Sequence, residues 1–254
     1  MDVGLMALPV VGFLIGALVT LFGGGGGAVY LPVLIVGFGV PYKVAVPTSI
    51  ATIIPTTLFG SIGHFRDGNV AWRLGSVVVV GTIGGTYLGT QLAGLFANAT
   101  LERAFGLFLL VIAGVSILRG DGLSMEQEGD RRVRAVLAIA VGVVAGIATA
   151  LFGISGTPVL LPGLSLLGLS ARVVVGTSVF VILGNAISGV FWYAELQGID
   201  WRLVVLFGSG TALGAIVAPR FYRYMPEEAK VAGYETLFGT VLVLTALAFL
   251  FGLV

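Results

Sequence analysis

Apolar positions along this chain run in long unbroken blocks, with neither the period-two alternation of strands nor the one-sided stripe of a soluble helix. Five blocks fall in the first half, at roughly 4–22, 28–39, 44–63, 74–97 and 104–118. Five more follow at roughly 135–152, 158–168, 173–194, 203–219 and 234–253. No charge interrupts the chain from Arg73 to Glu102, from Arg134 to Arg172, or from Glu235 to Val254. Most blocks approach or exceed the roughly 20 apolar residues that cross a bilayer, so each predicts a membrane helix. The second block of each half is shorter. About a dozen residues at 1.5 Å rise cover only about 17 Å, half the hydrocarbon core. Barrel strands, about ten residues long with alternating polarity, do not fit segments such as Leu203–Ala218, which are apolar or small on every side.

The halves also repeat each other. Residues 21–32 read LFGGGGGAVYLP and residues 151–162 read LFGISGTPVLLP. Leu21, Phe22, Gly23, Gly26, Val29, Leu31 and Pro32 are matched by Leu151, Phe152, Gly153, Gly156, Val159, Leu161 and Pro162. Farther on, Thr48-Ser49 pairs with Thr177-Ser178, Trp72-Arg73 with Trp201-Arg202, Gly81 and Gly85 with Gly210 and Gly214, and Glu102 with Glu235. The expected organisation is a first transmembrane repeat (1–119), a polar cytoplasmic linker (120–134) and a second repeat (135–254). Each repeat would hold a glycine-broken helical hairpin plus about three transmembrane helices. The fold class is all-α and polytopic.

Composition agrees with the pattern. The chain is 57% hydrophobic and 10% charged, against about 25% charged in soluble domains. Its mean hydropathy is +1.10. It has no cysteine, which excludes disulfides and thiolate metal sites. The net charge of +1 gives no basis for a nucleic-acid partner. Asp2 stands where a signal peptide would carry basic residues, so the first block is expected to be a working helix.

Basic residues predict an orientation. Suppose the first two blocks of each half begin and end on one side, as a hairpin or as two crossings. Lys43, Arg103 and Arg202 then share one side. Arg66, Arg73, Arg119, Arg131, Arg132, Arg134, Arg172, Arg220, Arg223 and Lys230 share the other. The richer side is cytoplasmic by the positive-inside rule. Both termini are then extracytoplasmic and the repeats have inverted topology. A single discontinuous crossing would divide the cations almost evenly and predict no orientation.

The candidate chemistry lies at the glycines. Backbone amides cannot face lipid unpaired, so a break at membrane depth must be buried in protein or line a polar cavity. The helix that restarts after it aims free N–H groups and a positive dipole end inward, an anion site without a charged side chain. Paired interruptions of this kind point to the substrate site of a secondary transporter. The candidate substrate-binding residues are Gly23, Gly24, Gly25, Gly26 and Gly27 in the first copy and Gly153, Ser155, Gly156 and Thr157 in the second. Thr157-Pro158 reads as an N-cap followed by proline at the first helical position.

Thr48, Ser49, Thr177 and Ser178 could donate to an anion, or could bond to a carbonyl one turn back. Asn185 either lines the pathway or joins helices. Trp72, Trp192, Tyr193 and Trp201 read as interfacial anchors. No carboxylate relay, phosphate-binding loop, nucleophile–base set or metal-ligand set is present in the sequence. The chain is therefore not expected to be an enzyme or to need a cofactor.

The glycine run followed by Leu31-Pro32 and Thr48-Ser49, repeated as Gly153–Gly156 with Leu161-Pro162 and Thr177-Ser178, resembles the sulfite exporter TauE/SafE family over essentially the whole chain. Val46-Pro47 departs from that pattern, which more often carries glycine before the Thr-Ser pair, as at Gly176. The resemblance implies a multi-pass inner-membrane transporter that exports sulfite or organosulfonates such as sulfoacetate. A passive anion channel, or a transporter of another small anion such as a carboxylate, remains the alternative. The expected partners are the small anion, a coupling ion (proton or sodium), the lipid bilayer and, as one arrangement, a second copy in a homodimer.

Overall fold

The computed structural model describes residues 3–21, 27–119, 131–196 and 198–222, and every regular element among them is helical. The elements are α1 (Val3–Leu21), α2 (Gly27–Pro32, continued by a π-helical turn, Val33–Gly37), α3 (Tyr42–Arg66), α4 (Trp72–Leu95) and α5 (Asn98–Arg119). They are followed by α6 (Arg131–Phe152), α7 (Thr157–Leu166), α8 (Ala171–Leu196) and α9 (Trp201–Tyr222). The blocks read from the sequence thus become helices that run a few residues further at one or both ends. The tenth block, 234–253, lies outside the described residues. α6 begins at Arg131, inside the stretch expected to be linker, so Arg131, Arg132 and Arg134 belong to its first turn.

Helices α3, α4, α6 and α8 are each long and apolar enough to cross a membrane, and α1, α7 and α9 carry shorter apolar stretches. The chain is a polytopic membrane protein. Its outer surface is aliphatic: Val80, Val136, Val205 and Leu213 are each more than half exposed. Small hydroxyl side chains turn inward, with Thr48, Thr52, Thr82, Thr86, Thr177 and Thr211 fully buried.

Lipid tails are as apolar as leucine, so close van der Waals contact must hold the helices together. Glycines supply it at two crossings. On α4 and α6, a Cβ at Gly81 would strike the Ile139 carbonyl, one at Gly85 the Val143 carbonyl, and one at Gly142 the Val78 carbonyl. On α1 and α9, Gly16 faces the Thr211 backbone, Gly210 the Pro9 carbonyl and Gly214 the Phe13 carbonyl. Helix α3 packs on α8 and α9, and α4 packs on α8 as well as α6.

Helix α7 runs back alongside α6. Gly163 meets the Val141 side chain, and the Arg134 guanidinium donates to the Leu167 carbonyl at the far end of α7. A single helix with a break would hold these pairs apart by more than 20 residues of rise. Helix α7 ends where Gly168 takes φ 76°; the Gly168 and Leu169 amides bond back to Ser165 and Leu164, a Schellman stop. The bend that follows the π-helical turn also ends on a left-handed glycine, Gly39, at φ 63°.

Candidate functional site

The break between α6 and α7 is a four-residue stretch, Gly153-Ile154-Ser155-Gly156, enclosed in protein. Ile154 is fully buried and Ser155 is 2% exposed. Gly153 and Gly156 both adopt left-handed backbone, φ 61° and 74°, which costs an L side chain about 1–2 kcal/mol. The two reversals halt α6 and restart the chain as α7.

Ending a helix inside a membrane protein orphans its last carbonyls. Here hydroxyls from two other helices meet them. Tyr193 on α8 donates to the Ala150 carbonyl at 2.5 Å. Tyr42 on α3 donates to the Leu151 carbonyl at 2.9 Å. Ser49 on α3 donates to the Gly153 carbonyl at 2.9 Å, sharing its proton with Val46 at 2.7 Å. The Gly153 amide returns to Thr149 at 2.8 Å. The negative end of α6 is therefore occupied by donors.

The start of α7 is built differently. Its cap is Gly156, with no side-chain cap bond, and proline follows within the first two positions. This moves the expected cap back by one residue: Thr157 is already helical, and its hydroxyl lies 2.6 Å from that of Ser155. Left-handed φ at residue 156 admits glycine and excludes threonine at little cost, which is why the cap falls there. No hydrogen bond to the Ile154 or Gly156 amide occurs among the described residues.

Asn185 on α8 reaches the same break. Its Nδ2 lies 2.6 Å from Thr149 Oγ1, which in turn donates to the Ala145 carbonyl at 2.9 Å. A Cβ at Gly156 would stand 3.1 Å from that threonine hydroxyl. Ser49, Thr149, Gly153, Ser155, Gly156, Thr157 and Asn185 thus form one buried cluster, in which no side chain is more than 9% exposed.

Other expected site residues fall elsewhere. Thr177 accepts from the Ala71 amide at 3.0 Å and anchors the turn before α4. A Cβ at neighbouring Gly176 would strike the Asn69 carbonyl, so glycine there lets the same turn approach. Ser178 bonds back to Val175 at 2.8 Å. Thr48 is fully buried, with its hydroxyl unpaired among the described residues. Gly23, Gly24, Gly25 and Gly26 lie outside the described residues, and Gly27 opens α2.

Three contributors escaped the sequence reading. Thr149, one turn before the break, bonds Asn185 and lies beside Gly156. Tyr42 and Tyr193 are 1% exposed and serve the carbonyl end. Tyr193 is therefore an internal donor and not the interfacial anchor it was expected to be. Trp72 and Trp201 are more than half exposed, and Arg73 stacks its guanidinium over Trp72 at 5.2 Å.

Comparison with known proteins fits this arrangement. The chain matches the sulfite exporter TauE/SafE family over residues 8–249. It is 30% identical to the probable membrane transporter protein YdhB of Bacillus subtilis (strain 168) over 228 residues, 87% of this chain and 92% of that protein. It is 25% identical to YunE of the same organism, another probable membrane transporter protein, over 247 residues, 88% and 90% of the two chains. No solved structure matches it. A multi-pass chain of apolar helices, with a glycine break buried among hydroxyls and matched to this family along nearly its whole length, belongs to the sulfite exporter TauE/SafE family of membrane transporters.

Proposed function

We propose that this chain is a secondary transporter that exports small anions, most directly sulfite or organosulfonates such as sulfoacetate, by alternating access at the α6–α7 break and its counterpart at Gly23–Gly27. One observation carries the reading. The carbonyl end of the break is occupied by Tyr42, Tyr193 and Ser49, while the Ile154 and Gly156 amides within the break meet no partner among the described residues. Filling the acceptors and leaving these two donors without a partner gives the break a net preference for negative charge. A compact oxyanion with several acceptor oxygens suits such donors. A site without a full cation holds it weakly enough to let it go.

Burial of the whole cluster favours a transporter over an open channel, because the helices around it must move before a solute can enter. Helix pairing supports the inverted-repeat reading. Exchanging α1–α4 with α6–α9 carries the α4–α6 pair onto α9–α1, and α4–α8 onto α9–α3. The return of α7 along α6 supports the topology in which the first two segments of a repeat start and end on one side. On that topology the basic side, and the 120–134 linker, are cytoplasmic, and the two halves rock about the break.

Purified protein in proteoliposomes tests this. The reading expects saturable flux with sulfite or a sulfonate in a screen that includes sulfate, taurine and carboxylates, and dependence on a proton or sodium gradient. Saturation by carboxylates alone would move the substrate class. Non-saturating flux without counter-ion dependence would make the protein a channel.

A further inference from the structure

Asn185 is fully buried, and its two ends have different fates. Thr149 donates its hydroxyl proton to the Ala145 carbonyl at 2.9 Å. The same hydroxyl oxygen accepts from Asn185 Nδ2 at 2.6 Å. This bond engages the nitrogen of the Asn185 carboxamide. Its oxygen is left inside the protein with no hydrogen-bond partner among the described residues.

A buried acceptor without a donor is costly, and native proteins seldom keep one without a use. A water there would serve the resting protein. A solute that displaces the water must bring a donor of its own or lose affinity. Thr149, the partner of the carboxamide nitrogen, also lies beside Gly156, where an added Cβ would stand 3.1 Å from its hydroxyl, and the Gly156 amide meets no partner among the described residues.

Resting on the anion-transport reading above, we infer that Asn185 Oδ1 selects among anions for those that carry a hydrogen-bond donor. The ligand class is a small oxyanion with an acid proton, a hydroxyl or an amine close to its charged group, such as hydrogensulfite or a hydroxyalkyl or aminoalkyl sulfonate. Fully deprotonated dianions of similar size are disfavoured. Charge goes to the amides and the donor goes to Asn185, so the anion is bound in one orientation. Hydrogensulfite would also carry a proton out with each turnover.

The test compares 2-hydroxyethanesulfonate with ethanesulfonate, which has the same sulfonate and carbon chain and no donor. In proteoliposomes the wild-type protein should take the hydroxylated sulfonate with about tenfold or greater preference in kcat/KM. Asn185→Leu should bring the ratio close to one, and Asn185→Asp, which keeps an acceptor oxygen, should preserve a preference. The wild-type ratio alone can overturn the inference even if a variant does not fold. Equal transport of both sulfonates by the wild type overturns this inference and leaves the anion reading standing. Sodium dependence that is lost in Asn185→Leu, without any donor preference, overturns it in favour of a cation on the amide oxygen. Absence of saturable flux for either sulfonate and for sulfite overturns both readings.

Discussion

Gly153 and Gly156 do different work from the glycines at the helix crossings. Each holds a left-handed backbone where the protein reverses direction, and neither has room for a Cβ, which would stand 2.5 Å from Ser49 Oγ at Gly153 and 3.1 Å from Thr149 Oγ1 at Gly156. Gly153→Ala should cost about 1–2 kcal/mol in backbone strain and disturb the Ser49 bond as well. Its thermal transition in detergent should fall below that of Gly94→Ala, an addition into open space on α4. Tyr193→Phe should lower stability by about 1–3 kcal/mol, because the Ala150 carbonyl is left buried and unpaired. An unchanged transition would show that this carbonyl has another donor. The glycines were legible in the sequence because they repeat. The tyrosines were not, because an aromatic near the end of an apolar block looks the same whether it faces headgroups or a broken helix. Thr149 was equally hidden, since nothing local marks one threonine in an apolar helix as a bridge.

At the level of elements, helix positions could be read to within a few residues, with the largest difference at the start of α5, which begins at Asn98. In a bilayer, length and apolarity alone decide where a helix can exist. Partner choice was less visible. Glycines on α4 were visible in the sequence, but that Gly81 and Gly85 meet α6 while Gly210 and Gly214 meet α1 depends on tertiary approach. This separates two kinds of glycine sharply. Gly142→Val would drive side-chain carbons into the Val78 carbonyl and should prevent close α4–α6 contact. Its yield of monodisperse protein on size exclusion should collapse, whereas Gly94→Val should behave as the wild type. Similar yields for both would mean that the crossing is looser than described. The end of α7 illustrates a further limit. Arg134 reads as a linker cation in the sequence, but it closes the hairpin on the Leu167 carbonyl.

For the whole molecule, the repeat and the cation distribution together predict an orientation that can be tested directly. The chain has no cysteine, so single cysteines report without background. Asp67→Cys, in the exposed turn after α3, should react with a membrane-impermeant maleimide only from the cytoplasmic face. Ala97→Cys, exposed between α4 and α5, should react only from the opposite face. Reversed labelling would invert the topology and would put the linker outside.

Flux through a single substituted glycine tests most directly the proposal that the buried break between α6 and α7 receives an anion. Gly156→Val adds bulk beside Thr149 and Ala145 in the break; Gly94→Val adds the same bulk to the outside of α4. With matched amounts of monodisperse protein in proteoliposomes, sulfite or sulfonate flux should fall at least about tenfold for Gly156→Val, equivalent to about 1.4 kcal/mol, and stay at the wild-type rate for Gly94→Val. Wild-type flux through folded Gly156→Val would mean that the anion crosses somewhere else.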